Sequence, residues 1–229
     1  MRNVIVKNIA RADAATIGLL GQLGVATVDE AQGRTGLMHP SLRPIYPSAR
    51  AAGSAVTVSC QAGDNLMVHA AMDVVQPGDM LVVTTRSPST DGMFGDLLAE
   101  SCRAHGVAGL IVDAGVRDVA EISAMNFPVW SKAICAQGSV KATAGSVNID
   151  VVCAGALVHP GDVIVADQDG VVVIPRESAQ EIAQLGEARR QREERSRERL
   201  RAGELGLDMH GLRKLLSDLG VEWVEGSSE

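Results

Sequence analysis

Aromatic residues are nearly absent. Two Phe, two Trp and one Tyr make up 2% of 229 residues, so a core must be packed from Val, Leu, Ile, Ala and Met. The four cysteines, Cys60, Cys102, Cys135 and Cys153, form no Cys-x-x-Cys pair and lie in apolar segments. That pattern argues against a disulfide framework or a zinc site, and buried free thiols are expected. Excess positive charge is missing as well. A net charge of −7 disfavours a nucleic-acid surface, and no nucleic-acid partner is expected. No apolar run is long enough to span a bilayer, and no basic, apolar leader is seen. The expectation is therefore no membrane partner and a cytoplasmic location. No Gly-rich loop opens a helix after the first strand, which removes the cradle a nucleotide-type cofactor would need. The five histidines, His39, His69, His105, His159 and His210, show no ligand spacing.

What the chain does have is 46% hydrophobic residues and 24 Gly, enough for one sizeable core with many tight turns. Helices are predicted over Ala10–Leu23, from Thr27 with that Thr as cap, and over Met67–Val75. Strands are predicted at Ala55–Ser59, Met80–Thr85, Val107–Val112 and Val129–Ile134. Residues 33–50 and 136–148 read as loops, the second polar and flexible. Several short strands follow between Ile149 and Pro175, with Asp169-Gly170 as a hairpin turn. The word Pro-Gly-Asp precedes a strand twice, at Pro77-Gly78-Asp79 and Pro160-Gly161-Asp162, and reads as shared turn chemistry. The sum is an α/β fold with a mixed sheet. From Arg176 the composition shifts to a charged helix running through Glu193, Glu194 and Arg197, then an amphipathic piece, Leu212–Leu219. The predicted division is an α/β catalytic core over 1–175 and a C-terminal helical arm over 176–229 that packs on a neighbouring subunit.

Charged residues gather between positions 92 and 118. From Gly92 to His105, Met93, Phe94, Leu97, Leu98 and Cys102 share one side at helical spacing, while Asp96, Glu100 and Arg103 take the other. A buried parallel strand follows, and Arg117-Asp118 opens the next helix. Helix starts and strand C-termini are where α/β sheets bind anions. An Asp in a first helical turn also suits the helix dipole alone, so position by itself favours scaffold over site.

The spacing is more specific. Gly92, Asp96, twenty intervening residues and then Arg117-Asp118 form a Gly-x3-Asp…Arg-Asp pattern. Together with Asp91-Gly92-Met93-Phe94-Gly95-Asp96, Val112-Asp113-Ala114-Gly115-Val116-Arg117-Asp118 and Gly203-Glu204-Leu205-Gly206-Leu207-Asp208, it resembles the metal-dependent pyruvate aldolases. These act on 4-hydroxy-4-methyl-2-oxoglutarate and 4-carboxy-4-hydroxy-2-oxoadipate. The resemblance implies a swivelling β/β/α-type fold and a lyase of aromatic-compound catabolism that releases pyruvate, with oxaloacetate decarboxylation as a side activity. It implies a homo-oligomer, a trimer or a dimer of trimers, and a divalent cation, Mg²⁺ or Mn²⁺. Asp118 is then the direct metal ligand. Asp96 and a glutamate of the neighbouring arm, Glu193 first and Glu194 next, act through water. Arg117 contacts the keto-acid oxygens, and the pyruvate carboxylate sits near Gly95, Leu97 and Leu98. Lys141 is the remaining catalytic candidate, as a partner for a substrate carboxylate. Arg43 and Arg50 are weaker candidates, on charge alone, for binding a dianionic substrate. The rival reading is a protein-binding regulator, because the core motif is shared with the protein inhibitor of ribonuclease E.

Overall fold

The computed structural model describes residues 3–226 and divides into two compact units, up to Glu187 and from Ala188 onward. Helices α1 (Ala14–Leu23) and α2 (Val25–Ala31) come first, followed by β1 (Arg43–Pro44), β2 (Ala51–Cys60), α3 (Leu66–Ala71) and β3 (Asp79–Thr85). Next come β4 (Gly92–Phe94), α4 (Asp96–Ala104), β5 (Gly109–Val116), α5 (Val119–Ala124) and β6 (Val129–Ile134). Strands then dominate: β7 (Ser146–Val147), β8 (Val151–Cys153), β9 (Ala156–Val158), β10 (Val163–Ala166) and β11 (Val171–Ile174). The chain ends with α6 (Ala179–Arg201), α7 (Gly206–Met209) and α8 (Leu212–Asp218). Among the described residues, nine strands form one mixed sheet in the order β1-β6-β5-β3-β2-β10-β11, with β4 added to β5 and β7 to β2; β8 and β9 pair apart. The expected α/β class with a mixed sheet is what forms. No helix among the described residues is long and apolar enough to cross a membrane.

Strands β2, β3, β5 and β6 run parallel. Their near-continuous apolar sequence follows from burial on both faces. Alternation then sorts the side chains. Val56, Val58, Leu81, Val83, Leu110 and Val112 meet Met67, Leu98, Cys102 and Ile122 from the helices. Ala55, Met80, Val82 and Ile111 face the opposite way, with Trp130, onto Val151, Cys153 and Val158 of the small hairpin. A third cluster joins Val163, Val165, Val172 and Ile174 to Leu20, Val25, Val28, Ile182 and Ala183. Ile182 and Ala183 lie in the first turns of α6, so those turns belong to the first unit. Burial pushes the Cys60 and Cys102 thiols up to about 12, which keeps them protonated and inert.

Two local expectations differ from the fold. Gly92–Phe94 is a strand, not the first turn of a helix. The helical spacing of Met93 and Phe94 was coincidental: Gly92 donates to the Gln137 carbonyl at 2.7 Å and pairs alongside β5, interactions remote in sequence. Thr27 does not cap α2, which starts at Val25. The Val25 amide instead donates to the Asp167 carboxylate at 2.9 Å.

The twin Pro-Gly-Asp words build the same device. Asp79 and Asp162 donate their amides to the Gln76 and His159 carbonyls at 3.0 and 3.1 Å, and Gly78 and Gly161 take φ of 91° and 90°. These are turns that require glycine at their third position. Each Asp carboxylate then reaches back to the amide three residues earlier, at 2.7 Å from Gln76 and 2.8 Å from His159. Asp79, 1% exposed, adds a two-pronged ion pair with Arg11, at 2.7 and 2.8 Å. This ties the segment before α1 to the start of β3.

The 136–148 stretch, expected to be flexible, is pinned at Ala142 and Thr143. Asp64, 2% exposed, accepts from the amides of Leu66, Ala142 and Thr143 at 2.9, 2.8 and 2.7 Å. Burial pushes its carboxyl up, but those three donors outweigh it and hold the group below the ordinary carboxylate range.

Two predictions follow from these anchors. Asp79→Ala leaves Arg11 without its partner and should lower stability by about 3 kcal/mol or more, read from urea midpoints; replacing both residues by apolar ones should cost less than either single change. Asp64→Asn should be less stable than the parent at neutral pH. Because the folded pKa is depressed, that contribution is complete above the unfolded value of about 3.9 and is lost as pH falls through the folded one. The gap between the two proteins should narrow in acid; a gap constant down to the acid limit would refute the assignment.

Candidate functional site

Just beyond the C-terminal end of β5, a cavity of about 100 Å³ opens beside β4 and the start of α4. Gly95, Asp96, Leu97, Leu98, Arg117 and Lys141, all expected from sequence, line it. Asn65 and His69, at and just beyond the start of α3, line it too and were not expected.

Asp118 stands beside this cavity in a left-handed conformation, φ 55° and ψ 40°. For a residue with a Cβ this is uncommon, and it is tolerated best by Asp and Asn. It occupies the N-cap position of α5, yet its side chain makes no capping bond there. Its Oδ2 instead accepts from the Asp96 amide at 3.3 Å and lies 3.3 Å from Arg117 Nε. Strain of this kind persists where surroundings over-determine it, and it concentrates at functional sites. Gly95 makes the approach possible. A Cβ there would collide with Asp118 Oδ2 and lie 3.1 Å from Arg117 Nε. The extended backbone of Gly95, φ −142°, demands no glycine; the space does.

The remaining expected residues fall as follows. Asp96 opens α4, and its Oδ1 accepts from the Leu97 amide at 2.8 Å. An anion reaching that amide must therefore displace the carboxylate. Leu97 is 80% exposed at the rim, whereas Leu98 is buried. Arg117 donates its amide to the Phe94 carbonyl at 2.9 Å, so the two ends of the motif are stitched together by backbone as well as side chain. Lys141 is exposed, unlike the buried amine that a Schiff-base mechanism uses. Lys7, Lys132 and Lys214 pair with Asp73, Asp113 and Asp218. Among the described residues Lys141 alone of the four has no ion pair. Burial, and after it the Lys141 charge, holds the His69 ring below the ordinary imidazole range, so at neutral pH it adds no positive charge to the wall that Arg117 and Lys141 line.

Arg43 and Arg50 do not reach the cavity lining. Arg43 lies on β1, and Arg50 donates to the Gly21 and Gln22 carbonyls at the end of α1. Glu193 and Glu194 lie in the second unit on α6. Glu193 pairs with Arg189 and Arg197 at 2.8 and 3.3 Å, and Glu194 with Arg197 and Arg201 at 2.9 and 3.2 Å.

Among the described residues no three His, Cys, Asp or Glu side chains converge as a preformed metal cage. Asp96 and Asp118 are two carboxylates, joined through the Asp96 amide, with the Asp118 side chain 33% open to water. That donor set fits a hard cation that keeps much of its water shell, such as Mg²⁺, better than zinc or calcium.

The family model described as RraA-like: Aldolase/RraA matches residues 12–173. A chain from Halalkalibacterium halodurans named "Putative 4-hydroxy-4-methyl-2-oxoglutarate aldolase" is 33% identical over 159 residues, 69% of this chain and 75% of that one. A Burkholderia multivorans chain of the same name is 34% identical over 143 residues, 62% of this chain and 87% of that one. The crystal structure of Streptomyces coelicolor RraAS2, described as an unusual member of the RNase ES inhibitor RraA protein family, aligns with a TM-score of 0.73. It is 29% identical and covers 83% of this chain and 99% of its own. With the Gly-x3-Asp…Arg-Asp geometry inside the matched span, the chain belongs to the RraA-like family, Aldolase/RraA.

Proposed function

We propose that this protein is a divalent-metal-dependent pyruvate aldolase. In this reading it cleaves 4-carboxy-4-hydroxy-2-oxoadipate and 4-hydroxy-4-methyl-2-oxoglutarate, and it decarboxylates oxaloacetate. The observation that carries the reading is the left-handed Asp118, whose carboxylate is turned away from its own helix toward Asp96 and Arg117. A structural Asp at that position would cap α5.

In the reaction the substrate hydroxyl loses its proton, the C3–C4 bond breaks, and the electron pair moves into the enolate of pyruvate, which is then protonated at C3. Asp118 and Asp96, with Glu193 of a neighbouring copy, are the carboxylates that would hold Mg²⁺ or Mn²⁺. The cation supplies Lewis-acid stabilisation of the charge developing on the keto oxygen. Arg117 shares that charge through its guanidinium, anchored by Asp118 so that it needs no reorganisation as the charge appears. First-turn amides of α4, at Leu97 and Leu98, bind the pyruvate carboxylate. Lys141 neutralises a second carboxylate, and Asp96 is the first candidate for accepting the hydroxyl proton through water. The same enolate arises from oxaloacetate by loss of carbon dioxide. The likeness to RraAS2 supports a second reading, a protein-binding regulator that uses this surface without chemistry.

Pyruvate release from 4-carboxy-4-hydroxy-2-oxoadipate should require added Mg²⁺, stop on chelation, and fall by about a thousandfold in Asp118→Ala. Release that persists after chelation, or none from either aldol substrate, would end the aldolase reading. Gly95→Ala should lower kcat by about a hundredfold through displacement of Asp118 and Arg117, with little change in the thermal midpoint, since the backbone there is accessible to alanine. A variant that is fully active would show that the close approach is incidental.

A further inference from the structure

Lys141 lines the cavity, and the bonds that hold it there are made by its neighbours on either side. Before it, Val140 donates to the Gly63 carbonyl at 2.9 Å and accepts from the Asn65 amide at 3.0 Å. After it, the amides of Ala142 and Thr143 both reach Asp64 Oδ2, at 2.8 and 2.7 Å. Asp64 Oδ1 takes the Leu66 amide, the first of α3, at 2.9 Å. Both oxygens of this carboxylate, in a residue only 2% exposed, are thus committed to amides. Binding the start of α3 takes one oxygen; the other serves the loop alone. Asp64 therefore fixes the loop without neutralising the lysine on it. The other three lysines each have an aspartate, and Lys141 has no ion pair among the described residues.

An ammonium on a four-carbon stem is a point charge with no fixed fork to aim it. Where that charge falls depends first on where the backbone beneath it is held. Resting on the aldolase reading, we propose that Asp64 is a positioning residue for the reaction: by fixing residues 140–143 it keeps Lys141 at the cavity wall, where the lysine meets the second carboxylate of the substrate. Asp64 touches no substrate atom, and its influence on binding passes through Lys141. Arg117 and the first-turn amides of α4 are carried by other elements. Formation of the pyruvate enolate is therefore independent of Asp64, and affinity for an aldol with a second carboxylate is not.

The test uses the full chain with Mg²⁺ and two reactions: cleavage of 4-carboxy-4-hydroxy-2-oxoadipate, and exchange of the C3 protons of pyruvate in D₂O, followed by NMR. Pyruvate forms the same enolate but has no second carboxylate. In Asp64→Ser the hydroxyl can still accept from the Leu66 amide, two residues on, but is too short to hold the loop. That variant should raise KM for cleavage by about tenfold, with kcat held within about threefold and exchange close to the parent. Asp64→Asn keeps one oxygen that can accept from both loop amides, and its KM should stay nearer the parent. Lys141→Met should raise KM by itself, and adding Asp64→Ser to it should change KM no further. Thr143→Pro, which removes one loop amide and leaves Asp64 in place, should repeat the KM rise and carries the test if the serine variant does not fold. Equal losses of cleavage and exchange, an unchanged KM, or a KM rise that recurs in the Lys141→Met background would each show that Asp64 serves the fold alone. Any of these overturns this inference and leaves the aldolase reading intact. A parent protein that releases no pyruvate from the aldol substrate overturns both.

Discussion

The geometry of the site depends on where one carboxylate points. Asp118 begins a helix but leaves that helix uncapped by its side chain. Its Oδ2 accepts from the amide that opens the neighbouring helix and forms an ion pair with the guanidinium beside it. Three other choices in the sequence follow from that orientation. Position 95 has to be glycine, because any side chain would enter the space the carboxylate fills. The residue at 118 has to be one that tolerates a left-handed backbone while carrying charge. Gly92–Phe94 has to be extended, because a helical turn there would withdraw α4 from β5 and break the Arg117 bond to Phe94.

Beneath this arrangement lies a conventional solution to burial. A parallel sheet shielded on both faces supplies rigid strand ends, and the catalytic candidates sit on the connections just beyond them. Polar anchors fix what the sheet cannot. Asp79 ties the N-terminal segment to β3, Asp162 repeats the same turn near β10, and Asp64 holds the loop that carries Lys141. All three are aspartates that sit nearly out of solvent and satisfy backbone amides, the circumstance in which a buried charge is tolerated.

Much of this is visible in the sequence, for identifiable reasons. The central strands are apolar throughout, which is the imprint of double burial, and the motif from Gly92 to Asp118 announces its own spacing. Pro-Gly-Asp read as a turn because its chemistry is local. What stayed hidden depends on partners far along the chain. The strand at Gly92–Phe94 looked helical because its apolar residues continue the period of α4, and only its pairing with β5 decides otherwise. Nothing near Thr27 indicates that Asp167 will receive the first amide of α2, that of Val25. The polar stretch around Lys141 resembles a mobile loop until Asp64, roughly eighty residues earlier, is brought against it. Asn65 carries no signal at all as a letter in a row; it joins the cavity wall only once folding sets it against the Met93 carbonyl.

The cavity is far smaller than the roughly 300–1,000 Å³ usual for small-molecule sites. A hollow of that size closes around a few heavy atoms, so the rest of any longer ligand extends past the rim at Leu97 into solvent. Shape recognition is then concentrated on the enclosed end, where Arg117 and Lys141 line the wall, and the far end lies beyond it. On the aldolase reading proposed above, such a division is strict about the enclosed pyruvate end and lenient about the fragment released. A single chain built this way can serve a series of compounds that share one terminus, and changes at the rim can widen or narrow that series without disturbing the machinery behind it.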